Sequence, residues 1–100
     1  MKLNGLQRSY MKKLKPIEKA IFTFTLIGLE SKDPEEKKLL IKIAAICEDA
    51  SQLDNPLKHA GRNLSLMLAT EELTTDQKSS VLSAIDVLEK IQEQHSIINN

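Results

Sequence analysis

The sequence predicts an all-α protein in which a single domain folds as an antiparallel four-helix bundle. Aromatic residues make up only 3% of the chain and tryptophan is absent, so Leu, Ile and Ala must fill the core, which is typical of helices. Apolar residues recur in steps of three and four, and each of the three prolines stands where a helix is expected to begin. With 100 residues, 41% of them apolar, the chain is able to bury a core without a disulfide or a metal.

Pro16 divides the N-terminal part of the chain. Residues 1–14 are expected to form a short extra helix or a flexible arm, and Pro16 then opens the first long helix. Residues 21–27 are rich in β-branched and aromatic side chains and alternate like a strand. Because no second strand is available to satisfy the hydrogen bonds of a lone strand, we expect this segment to be helical.

The starts of the next three helices carry capping signals. Asp33 precedes Pro34 and is followed by acidic residues, which are favourable at the positive end of a helix dipole. Pro56 marks the next start, and Thr74 and Gln77 have the spacing of a capping box. Short connections between these helices favour antiparallel neighbours. The predicted core-facing stripes are Leu39, Leu40, Ile43, Ile46, Cys47 and Ala50; Leu57, Ala60, Leu64, Met67 and Leu68; and Leu82, Ile85, Leu88, Ile91 and His95.

Charge is distributed unevenly along a chain whose formal net charge is zero. Residues 1–19 carry a net charge of +5, and residues 20–100 carry −5. The basic segment is expected to be a solvated helix surface or a patch that meets phosphate, anionic lipid or an acidic partner, whereas the negative remainder disfavours nucleic acid. Together with the incompletely buried part of residues 20–29, it predicts a surface that binds a protein partner, including a membrane-embedded one, or makes a peripheral contact with the membrane. The predicted contact residues are Lys12, Lys13, Lys15, Lys19, Phe22 and Phe24.

Two observations bear on the cellular compartment. The apolar run over residues 20–29 is too short to span a bilayer, and no small-residue cleavage pattern follows it. Cys47 is the single cysteine of the chain, which fits a reducing compartment. We therefore expect a cytoplasmic protein. Because Cys47 falls on an apolar stripe, we expect it to pack in the core rather than to act as a nucleophile.

The sequence contains no phosphate-binding loop, cysteine pair, paired histidine motif or nucleophile elbow. We therefore expect no enzyme activity, no cofactor and no metal. His59 offers an alternative, because with Arg62 and Asn63 it resembles the His-x-x-Arg-Asn core of the dimerisation and histidine-phosphotransfer hairpin of sensor kinases. This resemblance implies a phosphoacceptor histidine on a helical bundle, although Ala60 replaces the acidic residue that usually follows it. A close contact between helices at Gly61 is the alternative interpretation of this segment.

A longer pattern covers residues 33–92. It consists of Asp33, Pro34, Glu35 and Glu36 at a helix start, then residues 39–50, 63–68 and 73–77 and a terminal amphipathic helix. This layout resembles the immunity proteins of pediocin-like (class II) bacteriocins, which are antiparallel four-helix bundles. The resemblance implies a cytoplasmic protein that binds the toxin-engaged membrane permease and protects the producer cell without catalysis. The alternatives are histidine phosphotransfer through His59 and a structural homo-oligomer that buries residues 21–29 between copies.

Overall fold

The computed structural model describes residues 5, 6 and 13–99, with side chains through residue 95. The all-α prediction is confirmed, and the described residues contain no strand. Most of the segment predicted as a short helix or flexible arm, residues 1–14, lies outside the described residues. Within residues 13–99 the helices in chain order are α1 Pro16–Glu30, α2 Pro34–Ala50, α3 Pro56–Thr70 and α4 Thr75–Asn99.

The helices begin at the residues that the capping signals indicate. Three of them have proline in the first turn, and the backbone N–H of Glu35 donates to Asp33 Oδ1 at 3.0 Å. At the start of α4 the backbone N–H of Gln77 donates to Thr74 Oγ1 at 3.1 Å, and the backbone N–H of Thr74 donates to Gln77 Oε1 at 2.9 Å. These bonds satisfy backbone donors that a helix start otherwise leaves unpaired. The predicted cap and capping box are therefore confirmed.

The strand-like segment over residues 21–27 is helical, as expected, and belongs to α1. Thr23 is accommodated because its hydroxyl donates to the carbonyl oxygen of Lys19 at 2.8 Å, one turn earlier in the helix. Ile17, Ala20 and Phe24 of α1 are buried in the core. Burial of this face stabilises the helix in spite of the modest helix propensity of its β-branched and aromatic residues.

Consecutive helices pack as antiparallel neighbours, and α1 also packs against α4, which closes the bundle. α1 lies close to α2 at Gly28. A Cβ atom built on Gly28 would lie 3.1 Å from Ile41 Cδ1 and 3.2 Å from Leu40 Cβ, so a side chain there would crowd α2. A Cβ atom built on Gly61 would have no neighbour within 4 Å. The expectation that Gly61 marks a close helix contact is therefore wrong, and Gly28 has that role.

The core confirms the predicted stripes of α2 and α3 and corrects the stripe of α4. Among the described side chains of α4, Val81, Ala84 and Leu88 are buried, whereas Leu82, predicted to face the core, is 57% exposed. Val81 and Leu82 are adjacent in sequence and therefore point about 100° apart on the helix. The packing of α4 against α1 and α3 places Val81, rather than Leu82, in the core. Of the predicted stripe, Leu88 is buried, and Ile85 and Ile91 are half-buried and pack against the core. The prediction is therefore wrong at Leu82 and at His95, which is exposed.

Candidate functional site

The residues predicted to form a binding surface do not all lie at the surface. Lys13 and Lys15 are exposed at the N-terminal end of α1, while Lys19 and Phe22 are half-buried. Lys12 lies outside the described residues. The predicted surface therefore has an exposed basic end, formed by these two lysines.

Phe24 requires a correction. Its side chain is 2% exposed and belongs to the core, so it is not a contact residue in this structure. Successive residues of a helix are separated by about 100°, which places Phe22 and Phe24 on nearly opposite faces of α1. The prediction grouped two aromatic residues that the helix separates. Phe24 packs inside the bundle, and Phe22 lies on the face turned away from it.

The face of α1 opposite Phe24 carries a continuous stripe in steps of four and three residues. The stripe is basic at its N-terminal end and apolar toward its C-terminal end, where Leu29 is 62% exposed. Over this spacing it extends about 21 Å along the helix. We call it the outer stripe of α1. Its members are Lys15, Lys19, Phe22, Leu26 and Leu29.

A groove of about 710 Å³ opens between the N-terminal halves of α2 and α4, with α1 contributing to its floor. We call it the α2/α4 groove. Its apolar floor is formed by Phe24, Ile27, Leu39, Leu40, Ala84 and Val87. Its polar rim is formed by Asp33, Glu35 and Glu36 of the α2 start and by Thr74, Asp76, Gln77, Ser79, Ser80 and Ser83 of the α4 start.

The acidic residues of this rim were predicted to stabilise helix starts but not to line a groove. The predicted topology could have revealed the groove, because α2 and α4 are alternate helices of an up-and-down bundle. Their N-termini therefore lie at the same end of the molecule. Acidic first turns at Glu35 and Asp76 consequently meet around one groove.

A second groove, of about 630 Å³, lies between α3 and α4. Leu57, Ile85 and Leu88 supply its apolar lining, and its charged lining combines Lys58 with Glu89 and Glu93. Gly61 also lines it, and the missing side chain of this glycine leaves the groove open. This α3/α4 groove has mixed charge, whereas the α2/α4 groove is lined by acidic residues without a basic one.

The candidate chemical residues are placed as follows. Cys47 is fully buried, and burial raises the pKa of its thiol to about 12, which keeps it protonated at neutral pH. The predicted core role of Cys47 is confirmed. The His59 side chain is half-buried on α3, and no described residue forms a hydrogen bond with its ring. Phosphotransfer through His59 stays a prediction.

Within the described part of the chain, no group of three or more His, Cys, Asp and Glu side chains is arranged to hold a metal ion. Nor does any helix there combine the length and the apolar character needed to cross a membrane. The resemblances to immunity proteins and to phosphotransfer hairpins stay predictions. No protein-family model, curated protein or solved structure matches this chain.

Proposed function

We propose that this chain is a non-enzymatic interaction protein that presents the outer stripe of α1 to a membrane-embedded protein partner. More specifically, we propose an immunity protein that protects a producer cell from a peptide bacteriocin by binding the receptor–toxin complex. The observation that carries it is the composition of the outer stripe, in which exposed Lys15 is aligned with Leu29, 62% exposed, on one face.

The order of residues along the stripe suits a surface at the edge of a membrane. Lysine side chains interact favourably with anionic headgroups, while exposed aliphatic side chains gain from removal from water. A single exposed leucine is ordinary on a soluble protein. Alignment of Leu29 with Leu26 and with the basic end of the helix is what distinguishes this face from an unrelated set of surface residues.

The immunity form is tested by expressing the chain in a strain that is killed by pediocin-like peptides. The minimal inhibitory concentration of each peptide is measured with and without the expressed chain. We expect an increase for at least one peptide of the panel, because an immunity protein is specific for its toxin. If the folded chain accumulates and every peptide kills as well as before, the immunity form is wrong.

The wider proposal of an α1 contact surface is tested separately, with membranes of the protected strain. The chain should sediment with these membranes after exposure of the cells to the peptide and remain in the supernatant without it. A variant that combines Lys15→Glu with Leu29→Glu should lose sedimentation while retaining wild-type helicity by circular dichroism. Unchanged sedimentation of this variant would remove the outer stripe from the proposal.

A further inference from the structure

The α2/α4 groove is an apolar surface that the described part of the bundle leaves uncovered. Phe24, Leu39 and Leu40 are buried at its base, but Ile27 and Val87 remain half-buried and line the open space. Covering these side chains would remove further apolar area from water, which stabilises an association. The groove therefore offers a partner an apolar contact between two helices.

The charge around this apolar floor is of one sign. Asp33, Glu35, Glu36 and Asp76 line the groove, and its lining contains no lysine or arginine. Asp33 accepts a hydrogen bond from the backbone of Glu35, and Glu36 accepts one from Ser31. The Glu35 and Asp76 side chains have neither a hydrogen bond nor an ion pair with any described residue.

Helix capping accounts for part of this arrangement but not for all of it. Acidic residues in a first turn are stabilised by the positive end of the helix dipole, which is equivalent to about half a charge for each helix. Two helix starts therefore offset about one of the four negative charges, and the residues that line the groove keep a net charge of about −3. A neutral or anionic occupant would leave this charge uncompensated.

We propose that the α2/α4 groove binds a cationic amphipathic helix of a partner protein. Its apolar face lies on the floor beside Ile27 and Val87, and its lysine or arginine side chains reach the carboxylates of Glu35 and Asp76. In helix-in-groove recognition the apolar face of the helix lies on an apolar floor, and a rim of opposite charge adds specificity and speeds association. The hydroxyl groups of Ser79 and Ser83 on the α4 side supply further hydrogen-bond donors and acceptors to the helix.

The α2/α4 groove is separate from the outer stripe of α1. It uses the interior side of α1, where Phe24 lies, whereas the outer stripe uses the opposite face. It also demands a basic partner, while the outer stripe presents lysines of its own. Failure of either proposal therefore leaves the other standing.

The test uses the full chain and a fluorescein-labelled synthetic helix with leucine on one face and lysine on the other. Two control peptides are used. The first has the same composition in scrambled order, and the second has the same pattern with glutamate in place of lysine. Binding is followed by fluorescence anisotropy. The wild-type chain should bind the amphipathic cationic peptide, bind the scrambled peptide weakly and ignore the anionic one. Equal binding of the ordered and scrambled peptides, or no binding of either, would overturn the proposal.

Matched variants locate the binding site. Glu35→Gln combined with Asp76→Asn removes two rim charges and should weaken binding roughly tenfold. Glu89→Gln combined with Glu93→Gln removes two charges from the α3/α4 groove and should leave binding unchanged. An equal loss in both double variants would show attraction to net charge alone and would contradict a specific groove.

A third variant adds bulk and positive charge inside the groove without disturbing the core. Ser83 is exposed on α4, and lysine is a good helix former, so Ser83→Lys should fold normally. It should reduce peptide binding at least as much as the loss of two rim carboxylates. Unaltered binding to this variant would place the peptide elsewhere. Sedimentation equilibrium is measured in parallel, and self-association that Ser83→Lys abolishes would show a second copy as the occupant and overturn the proposal.

Discussion

Gly28 and Gly61 are helical glycines in opposite surroundings, and their replacement by alanine should have opposite effects on stability. Alanine is more favourable than glycine in a helix interior by about 1 kcal/mol. At Gly61 nothing lies within 4 Å of the new Cβ atom, so most of this gain should be realised. We expect Gly61→Ala to raise the free energy of unfolding by about 0.5–1 kcal/mol.

At Gly28 the same methyl group would meet α2. Ile41 Cδ1, at 3.1 Å, is the end of a flexible side chain that is 40% exposed and is able to rotate away. Leu40 Cβ, at 3.2 Å, is attached directly to the backbone, so relief there requires α1 and α2 to separate by a few tenths of an ångström. Overpacking of this kind costs about 1–3 kcal/mol and outweighs the gain in helix propensity.

We therefore expect Gly28→Ala to lower the free energy of unfolding by about 1 kcal/mol. For a domain of this size, 1 kcal/mol corresponds to a change in Tm of about 4–8 °C. Both variants are measured by thermal and urea unfolding followed by circular dichroism. A Gly28→Ala variant as stable as Gly61→Ala would refute the close approach of α1 and α2.

A third substitution tests the cause of the loss. Ile41→Val removes the Cδ1 atom that lies nearest to the new methyl group. In the Gly28→Ala background it should recover part of the lost stability, whereas the same change in the wild-type chain, at a position that is 40% exposed, should cost at most about 0.5 kcal/mol. A double-mutant cycle measures this coupling. Strictly additive effects would indicate that Leu40, rather than Ile41, opposes the alanine.

Three further predictions concern the folded chain. Thr74→Ala should destabilise α4 by about 1 kcal/mol in urea unfolding, because it removes the hydroxyl that accepts from the Gln77 backbone; no change would argue against the capping box. Leu88→Ala should cost about 2–5 kcal/mol, and Leu82→Ala at most about 0.5 kcal/mol, since Leu88 is 3% and Leu82 57% exposed; equal losses would contradict the orientation of α4. The pKa of Cys47, about 12 when folded, exceeds its unfolded value of about 9, so above pH 9 the unfolded chain binds fewer protons and stability should fall as pH rises. Subtracting the pH profile of Cys47→Ala isolates this contribution, and a flat difference up to pH 12 would contradict the burial of the thiol.

Local signals in the sequence were sufficient to predict where the helices begin. Proline at the first helical position, the Asp33 cap and the Thr74 capping box act within one turn, so their effect does not depend on the rest of the fold. The helical state of residues 21–27 needed a tertiary argument, because local propensity alone favours a strand there. The absence of a partner strand from the sequence supplied that argument.

The face that a helix turns toward the core was harder to predict where apolar residues are adjacent or close in sequence. Val81 and Leu82 offer α4 two competing stripes, and only the contacts with α1 and α3 distinguish them. Phe22 and Phe24 present the same difficulty, because α1 is apolar on both faces. The α2/α4 groove depends on bundle topology, since its rim combines residues that are about forty positions apart in the chain. Spacing along one helix does not reveal such a site.

Protection of a cell through the outer stripe of α1 is tested by one measurement, the inhibitory concentration of the peptide. The peptide concentration that stops growth is compared between cells expressing the wild-type chain, the Lys15→Glu and Leu29→Glu double variant, and a control with Lys38→Glu and Leu66→Glu. The control makes the same chemical changes at exposed positions of α2 and α3. We predict protection by the wild-type and control chains and its loss in the stripe variant; equal protection by all three would contradict the claim.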